Sequence, residues 1–380
     1  MRVLHALSTG QTGGTEMSVL RLLPALAARG VDGAVSLLDE DGPVADLFRA
    51  AGVRVHALGA RRGWMNAVRR FEGVLAEERP GVVHAYGFRM SVLARLRASA
   101  ISPRPAIVHG IRGLHLTDDA NPEGASAAFA RVVERTLAGQ VDCYMANSLG
   151  AIDYLSAKGL PREKFVLVRN GIDAAHRVGS PAPREPLVAC VASLRPVKQV
   201  AHLVSALDTL ARRGAAFKAV IAGTGPLAAA LARDVEARGL GSRVTFLGRL
   251  AEDDVTALLA KCRLLVLPSR WEGMPVSVME AMAAAVPVVA YDVAGVNELV
   301  QDEVTGLLAP AGDVGALAVA IEQLLADPGR AASLGAAGRE RVCREFTLDA
   351  QVEGHQAAYE RLGRASALPT TPLAAGSGRA

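Results

Sequence analysis

The sequence predicts an α/β protein made of two doubly wound domains of parallel sheet. Three observations carry that expectation. A chain of 380 residues is longer than one ordinary core accommodates. Strand-like and helix-like patterns alternate along its length, as they do when helices cover a parallel sheet. The Pro- and Gly-rich stretch VGSPAPREP at 178–186 interrupts that alternation, which then begins again.

Taken in order, the first half offers strands at 2–7, 33–38, 53–58, 82–86, 106–109, 143–147 and 165–168. Helical stretches separate them. In 15–29, for instance, Met17, Leu20, Leu23 and Ala27 share one face and Gly30 stands where a helix ends. The second half offers strands near 187–193, 218–222, 244–247, 263–267 and 287–290. Helices near 198–213, 226–238, 251–261, 274–285 and 313–326 alternate with them. The expected domains are therefore 1–177 and 187–345, with a further helix at 347–362 and a disordered tail at 365–380. Ligands of such sheets bind beyond the carboxyl ends of the strands, here expected to face a cleft between the domains.

Bulk properties narrow the function. With 51% hydrophobic and 21% charged residues the chain is globular. No run reaches the ~18 uncharged apolar residues of a membrane span, because Glu280 and Asp292 interrupt the most apolar region, 276–296. Arg2–Leu7 already reads as a strand, which leaves no room for a signal peptide. Cys143, Cys190, Cys262 and Cys343 show no metal-like spacing and read as buried thiols in a reducing compartment, so the expectation is a cytoplasmic protein.

The net charge of +4 is uneven, since residues 54–104 carry ten arginines against Glu72, Glu77 and Glu78. That +7 segment would attract anionic headgroups, and Gly63–Phe71 could form an amphipathic surface helix for peripheral membrane contact. Arginine is equally this chain's default cation, since only 5 of its 42 basic residues are lysine. Nucleic acid is not expected as a partner, because aromatics make up 4% of the chain and do not interleave with the arginines.

The most informative segment is WEGMPVSVMEAMAAAVPVVA, 271–290. Pro275 suits a first helical turn, Val276, Met279, Met282 and Ala283 repeat at helical spacing, and Pro287 ends the run. Glu272 precedes that helix and Glu280 lies within it. Eight residues at ~1.5 Å each separate the two carboxylates by about 12 Å. They are too far apart to share a metal ion, and far enough apart to bracket a nucleotide sugar. The helix start between them suits a diphosphate. By themselves, the two glutamates fit equally well as a first-turn acid and a solvated helix residue.

Other constellations fall at strand-to-helix turns. Gly13 and Gly14 follow the first strand, where backbone can approach a ligand closely, but the spacing matches neither a dinucleotide fingerprint nor a Walker loop. Arg195 and Lys198 close the first strand of the second domain, as phosphate-neutralising cations or as solvated helix-start residues. Gly223 in IAGTGP and Arg249–Leu250 in FLGRL belong to two more such turns.

Together these residues resemble the retaining nucleotide-sugar glycosyltransferases of the GT-B fold, glycosyltransferase family 4-like or group 1. The resemblance runs from Met1 to about Gly363. It rests on GGTEMSVLRLLPALAARG (13–30), RNGID (169–173), SLRPVK (193–198), IAGTGPL (221–227), VTFLGRL (244–250), VLPSRWEGMPVSVMEAMAAAVPVVA (266–290) and the Glu298–Gly306 region.

It implies a UDP- or GDP-sugar donor, no metal, and a glycan, lipid-linked or small-molecule acceptor. It also implies residue roles. Gly13 and Gly14 would approach the diphosphate and the reacting sugar, and Lys198 would neutralise the diphosphate. Glu272 would contact hydroxyls of the transferred sugar, and Glu280 would take the ribose. Backbone N–H groups around Gly273, Met274, Pro275 and Val276 would hold phosphate. Gly223 would line the same edge, and the backbone near Arg249 and Leu250 would read the base. The last helix would cross back onto the first domain.

Two positions depart from the family pattern. Ser193 replaces a frequent arginine, leaving Arg195 as its substitute. Arg112–Gly113 stands where many relatives have His-Gly, with His109 three residues earlier and His115 three later. Arg112 can stabilise charge on departing phosphate but is a poor proton acceptor. The expected catalytic groups are thus Glu272, Arg112 and Lys198. The Asp39–Glu40–Asp41 run reads as a polar loop and not as a metal site. The rival readings are an epimerase or phosphorylase on this fold and a non-catalytic sugar-nucleotide-binding partner.

Overall fold

The computed structural model describes residues 1–11, 13–39, 41–113, 127–173 and 184–367. The strands are β1 (Arg2–Leu7), β2 (Asp32–Leu37), β3 (Arg54–Ala57), β4 (Val82–Tyr86), β5 (Ala106–Ile111), β6 (Cys143–Ala146), β7 (Phe165–Leu167), β8 (Leu187–Val191), β9 (Lys218–Ala222), β10 (Val244–Gly248), β11 (Leu264–Leu267), β12 (Val288–Tyr291) and β13 (Gly306–Ala309).

One sheet has the order β3-β2-β1-β4-β5-β6-β7 and the other β10-β9-β8-β11-β12-β13. In the first, β1 pairs parallel with β2 and β4, β2 with β3, and β4 with β5. Every ladder of the second is parallel. These are the two Rossmann-like sheets of a GT-B fold. By its contacts the chain divides into one compact unit of Met1–Gly110, Gly139–Tyr144 and the chain from Glu353, and another of Ile111–Ala138 and Met145–Val352.

In the first unit, α1 (Gly14–Ala27) and α2 (Pro43–Ala50) cover one face of the sheet. Val19 and Leu23 of α1 and Phe48 of α2 pack on Leu7, Val35 and Leu37. Helices α3 (Trp64–Glu78) and α4 (Phe88–Ala98) cover the other face, where Phe71, Val74, Met90 and Leu93 meet Leu4, Ala6, Val83 and Ile107. α3 is accordingly more than a surface helix. Phe71 is fully buried, and only Trp64 and Met65 among its large apolar residues are exposed.

This core is also unexpectedly polar. His5 of β1 and His84 of β4 face each other in register and are completely buried. Tyr359 of the last helix, α13 (Leu348–Ala367), bonds the Nδ1 of His84 at 2.7 Å. That helix extends past the expected 362 and takes in the first residues of the expected tail, whose remainder lies outside the described residues.

The second unit has one large core. Helices α5 (Ala127–Thr136) and α6 (Leu149–Ala157) fall in this unit, and α7 (Val200–Arg212), α8 (Ala228–Ala237), α9 (Glu252–Lys261), α10 (Val276–Ala283), α11 (Val314–Ala326) and α12 (Pro328–Glu345) surround β8–β13. Val278, Met279, Ala281, Met282 and Ala283 are all buried, so α10 is open to solvent only at its start, where Val276 and Ser277 are half-buried. Pro275 is its N-cap residue, one position earlier than a first helical turn. β13 and α12 were not expected.

Cys143, Cys190 and Cys262 are buried, but Cys343 is exposed, which corrects the expectation of four buried thiols. It lies on α12, an Ala- and Gly-rich helix of low apolar content. Among the described residues no helix is long and apolar enough to cross a membrane.

Candidate active site

The carboxyl edge of the second sheet is built from the loops after β8, β9, β10 and β11, which the strand order brings side by side. After β8 the chain runs through Arg195, turns tightly over Pro196–Lys198 and enters α7. The turn after β9 is pressed onto this loop. Gly223 has φ +146°, and a Cβ there would overlap the carbonyl of Ala192, so no other residue fits without moving backbone. Leu194 N–H donates to the Thr224 carbonyl at 2.9 Å, tying the two loops together. Gly223 N–H in turn donates to the Gly248 carbonyl at 2.6 Å, which brings in the loop carrying Arg249 and Leu250.

The loop after β11, residues 268–275, carries the acidic residue. Lys198 Nζ lies 2.5 Å from Glu272 Oε1, and Ser269 Oγ donates to the same oxygen at 2.6 Å. The Glu272 side chain is 8% exposed and that of Lys198 is 22% exposed. A nearly dry carboxylate is thus held by one cation and one hydroxyl, with the cation still reaching solvent. The two residues expected to serve sugar and diphosphate separately therefore meet at one oxygen. Arg270 N–H donates to the Val197 carbonyl at 2.9 Å, which fixes the two loops against each other.

Beyond Glu272 the backbone is confined on every side. A Cβ at Gly273 would lie 2.5 Å from the Arg112 carbonyl and 2.8 Å from Asn147 Oδ1. One at Gly295, where φ is +79°, would overlap the Gly273 carbonyl. Met274 O accepts from Asn170 Nδ2 at 3.0 Å. Helix geometry leaves the N–H groups of Val276, Ser277 and Val278 without intrahelical acceptors, while Pro275 has none to offer. Glu280 lies one turn into α10 and is 7% exposed.

Of the expected residues, Lys198, Arg195, Gly223, Arg249, Leu250, Glu272, Gly273, Met274, Pro275, Val276 and Glu280 all belong to this one edge. Arg195 and Arg249 are exposed. Arg112 is drawn in as well, through Asn170 Oδ1 at 2.5 Å and through its carbonyl beside Gly273. His109 is not, being fully buried in β5 with Nδ1 2.6 Å from Arg95. His115 lies outside the described residues.

Gly13 and Gly14 belong to the first unit. Gly13 is the N-cap residue of α1, and a Cβ on it would come within 2.5 Å of the Glu16 carboxylate. Glu16 is 7% exposed, and burial pushes its pKa up to about 7. Asp39 and Asp41 form ion pairs with Arg61 and Arg49, as a polar loop does. Sequence reasoning missed Ser269, Asn147 and Asn170. Asn170–Gly171 belongs to the RNGID motif of the family resemblance, but by itself it gives only the signal of a turn and no role.

Two Rossmann-like sheets, the second with small turns, a cation and two carboxylates at its carboxyl edge, fit the class of GT-B glycosyltransferases. The sequence matches glycosyl transferases group 1 over residues 172–341 and the glycosyl transferase 4-like domain over 13–171, and the chain belongs to this family. A GDP-mannose-dependent alpha-(1-6)-phosphatidylinositol monomannoside mannosyltransferase of Mycobacterium tuberculosis is 31% identical over 66% of this chain and 69% of its own length. The alpha-D-kanosaminyltransferase of Streptomyces kanamyceticus is 38% identical over a shorter stretch, 38% of this chain and 37% of that one. The Anabaena HepE structure, solved with UDP and glucose, superposes with a TM-score of 0.83 at 22% identity, covering 95% of this chain and 100% of that one.

Proposed function

We propose that the protein transfers a sugar from a nucleoside-diphosphate sugar, UDP- or GDP-linked, to a glycan, lipid-linked or small-molecule acceptor. The observation that carries this reading is the Lys198–Glu272 pair beside the start of α10, with Glu280 eight residues further along the chain. It is supported by relatives named for GDP-mannose and kanosamine transfer and by a structural neighbour solved with UDP.

In this mechanism Lys198 swings to the diphosphate, Glu272 holds hydroxyls of the transferred sugar and Glu280 holds the ribose. Free N–H groups at the start of α10 take phosphate oxygens. Positive charge develops at the anomeric carbon as its bond to the phosphate oxygen breaks. Lys198, Arg195 and Arg112 stabilise the departing diphosphate without a metal. The acceptor oxygen attacks from the same face, its proton passes to the departing phosphate oxygen, and configuration is retained.

The protein works in the cytoplasm, touching anionic membrane through the arginine-rich 54–104 region. The test is incubation of donor and candidate acceptors with chelator present, following nucleoside diphosphate release and the anomeric configuration of the product by NMR. Retention without added metal is expected. A trapped covalent sugar–enzyme adduct, or turnover abolished by chelator, would overturn the mechanism.

A further inference from the structure

We propose that Asn170 is a positioning residue that aims the Arg112 guanidinium and fixes the Glu272–Met274 backbone through one buried amide. The inference rests on the reading above of this edge as a sugar-nucleotide site. Asn170 is 5% exposed and both ends of its amide are used: Oδ1 accepts from Arg112 at 2.5 Å and Nδ2 donates to the Met274 carbonyl at 3.0 Å. The two segments it joins, the end of β5 and the loop before α10, touch again where Gly273 packs on the Arg112 carbonyl and where Gly113 packs on the Trp271 ring. Asn170 itself is held from the chain beyond it, because Gly171 N–H donates to Gln351 Oε1 at 2.9 Å.

The choice of an amide has a chemical consequence. A carboxylate at this position would fix the guanidinium equally well but would add a negative charge to a site read as binding a diphosphate. It would also set an oxygen against the Met274 carbonyl. A neutral acceptor orients Arg112 without setting a negative charge beside a departing phosphate. A neutral donor at the other end keeps the Met274 carbonyl turned away from the N–H groups that follow it.

Asn170→Asp is the discriminating variant because it preserves size. A space-filling role predicts that Asp behaves as Asn and that Ala is the worse variant. The relay predicts that turnover falls on the order of 100-fold in Asn170→Asp, the loss typical of one misplaced charge-stabilising donor, while UDP or GDP binding by thermal shift changes less than threefold. Wild-type-like turnover in Asn170→Asp would overturn the proposal, as would loss of nucleotide binding in step with turnover.

A second measurement needs no donor: the cycle of Arg112→Met, Asn170→Ala and the double variant, read by urea unfolding. Non-additive midpoints support the relay, and additive ones overturn it even if the sugar-nucleotide reading stands. If the unmodified protein binds no nucleotide, the cycle still decides whether the clamp exists, so the two failures are distinguishable.

Discussion

Replacing Glu272 by Gln keeps the shape of the loop after β11 and removes one charge. Lys198 Nζ then loses a carboxylate at 2.5 Å, and Ser269 retains an amide oxygen as acceptor. Stripping one partner from a fully buried ion pair costs about 3–5 kcal/mol, because the other charge is stranded. Here Lys198 is 22% exposed and can turn toward water, which brings the cost to about 1–3 kcal/mol.

Lys198→Met strands the carboxylate instead, which is only 8% exposed, so it is expected to be the more destabilising of the two. The double variant removes both charges and recovers much of the loss, giving a coupling of about 1–3 kcal/mol. Urea unfolding of the four proteins, monitored by Trp fluorescence and circular dichroism together, measures it. Additivity within about 0.5 kcal/mol would mean that the pair is not formed in solution, and the electrostatic argument for this edge would fail.

Two further outcomes follow from groups outside that pair. Glu16 titrates near 7 in the fold and near 4.5 unfolded, so the folded state binds more protons between those values and stability falls as pH rises through them. The cost is complete above pH 7, at about 3 kcal/mol for a shift of that size, and Glu16→Gln should abolish the decline; an unchanged pH profile in that variant would refute the assignment. Burial pushes the thiols of Cys143 up to about 11 and of Cys190 and Cys262 up to about 12, whereas Cys343 is exposed. A thiol reagent at pH 8 should therefore modify one cysteine rapidly in the native protein and four only after denaturation, with rapid labelling lost in Cys343→Ser.

The alternation of apolar runs placed the strands closely because buried parallel strands read as continuous Val, Ile and Leu runs ended by turn residues. β13 escaped for lack of that signal: Gly306–Ala309 is short, and it begins with a glycine. α12 carries little apolar bulk, its buried residues being Ala331, Leu334, Gly335, Gly338 and Val342. Gly335 faces the Ala285 carbonyl where a Cβ would overlap it, and Gly338 packs on Met282, so close approach and not apolar bulk seats this helix.

The same division runs through the candidate site. Glu272, Lys198 and Glu280 were legible because their charge types sit at strand-to-helix turns of a recognisable pattern. Asn170 and Asn147 were not, since asparagine after a strand reads as turn chemistry, and what distinguishes these two is burial against Met274 and Gly273. The contact between Arg112 and a loop about 160 residues later is set by tertiary packing, which no local spacing reports.

The most direct test is thermal unfolding of the protein with UDP, GDP, ADP and dTDP, each with and without magnesium. At ~100 times its dissociation constant a ligand adds about 2.7 kcal/mol of stability, a readily measured rise in Tm. A rise with one nucleotide, indifferent to magnesium and lost in Glu280→Gln, is the expected result. No rise with any of the four would contradict the assignment of this edge as a nucleotide-sugar site.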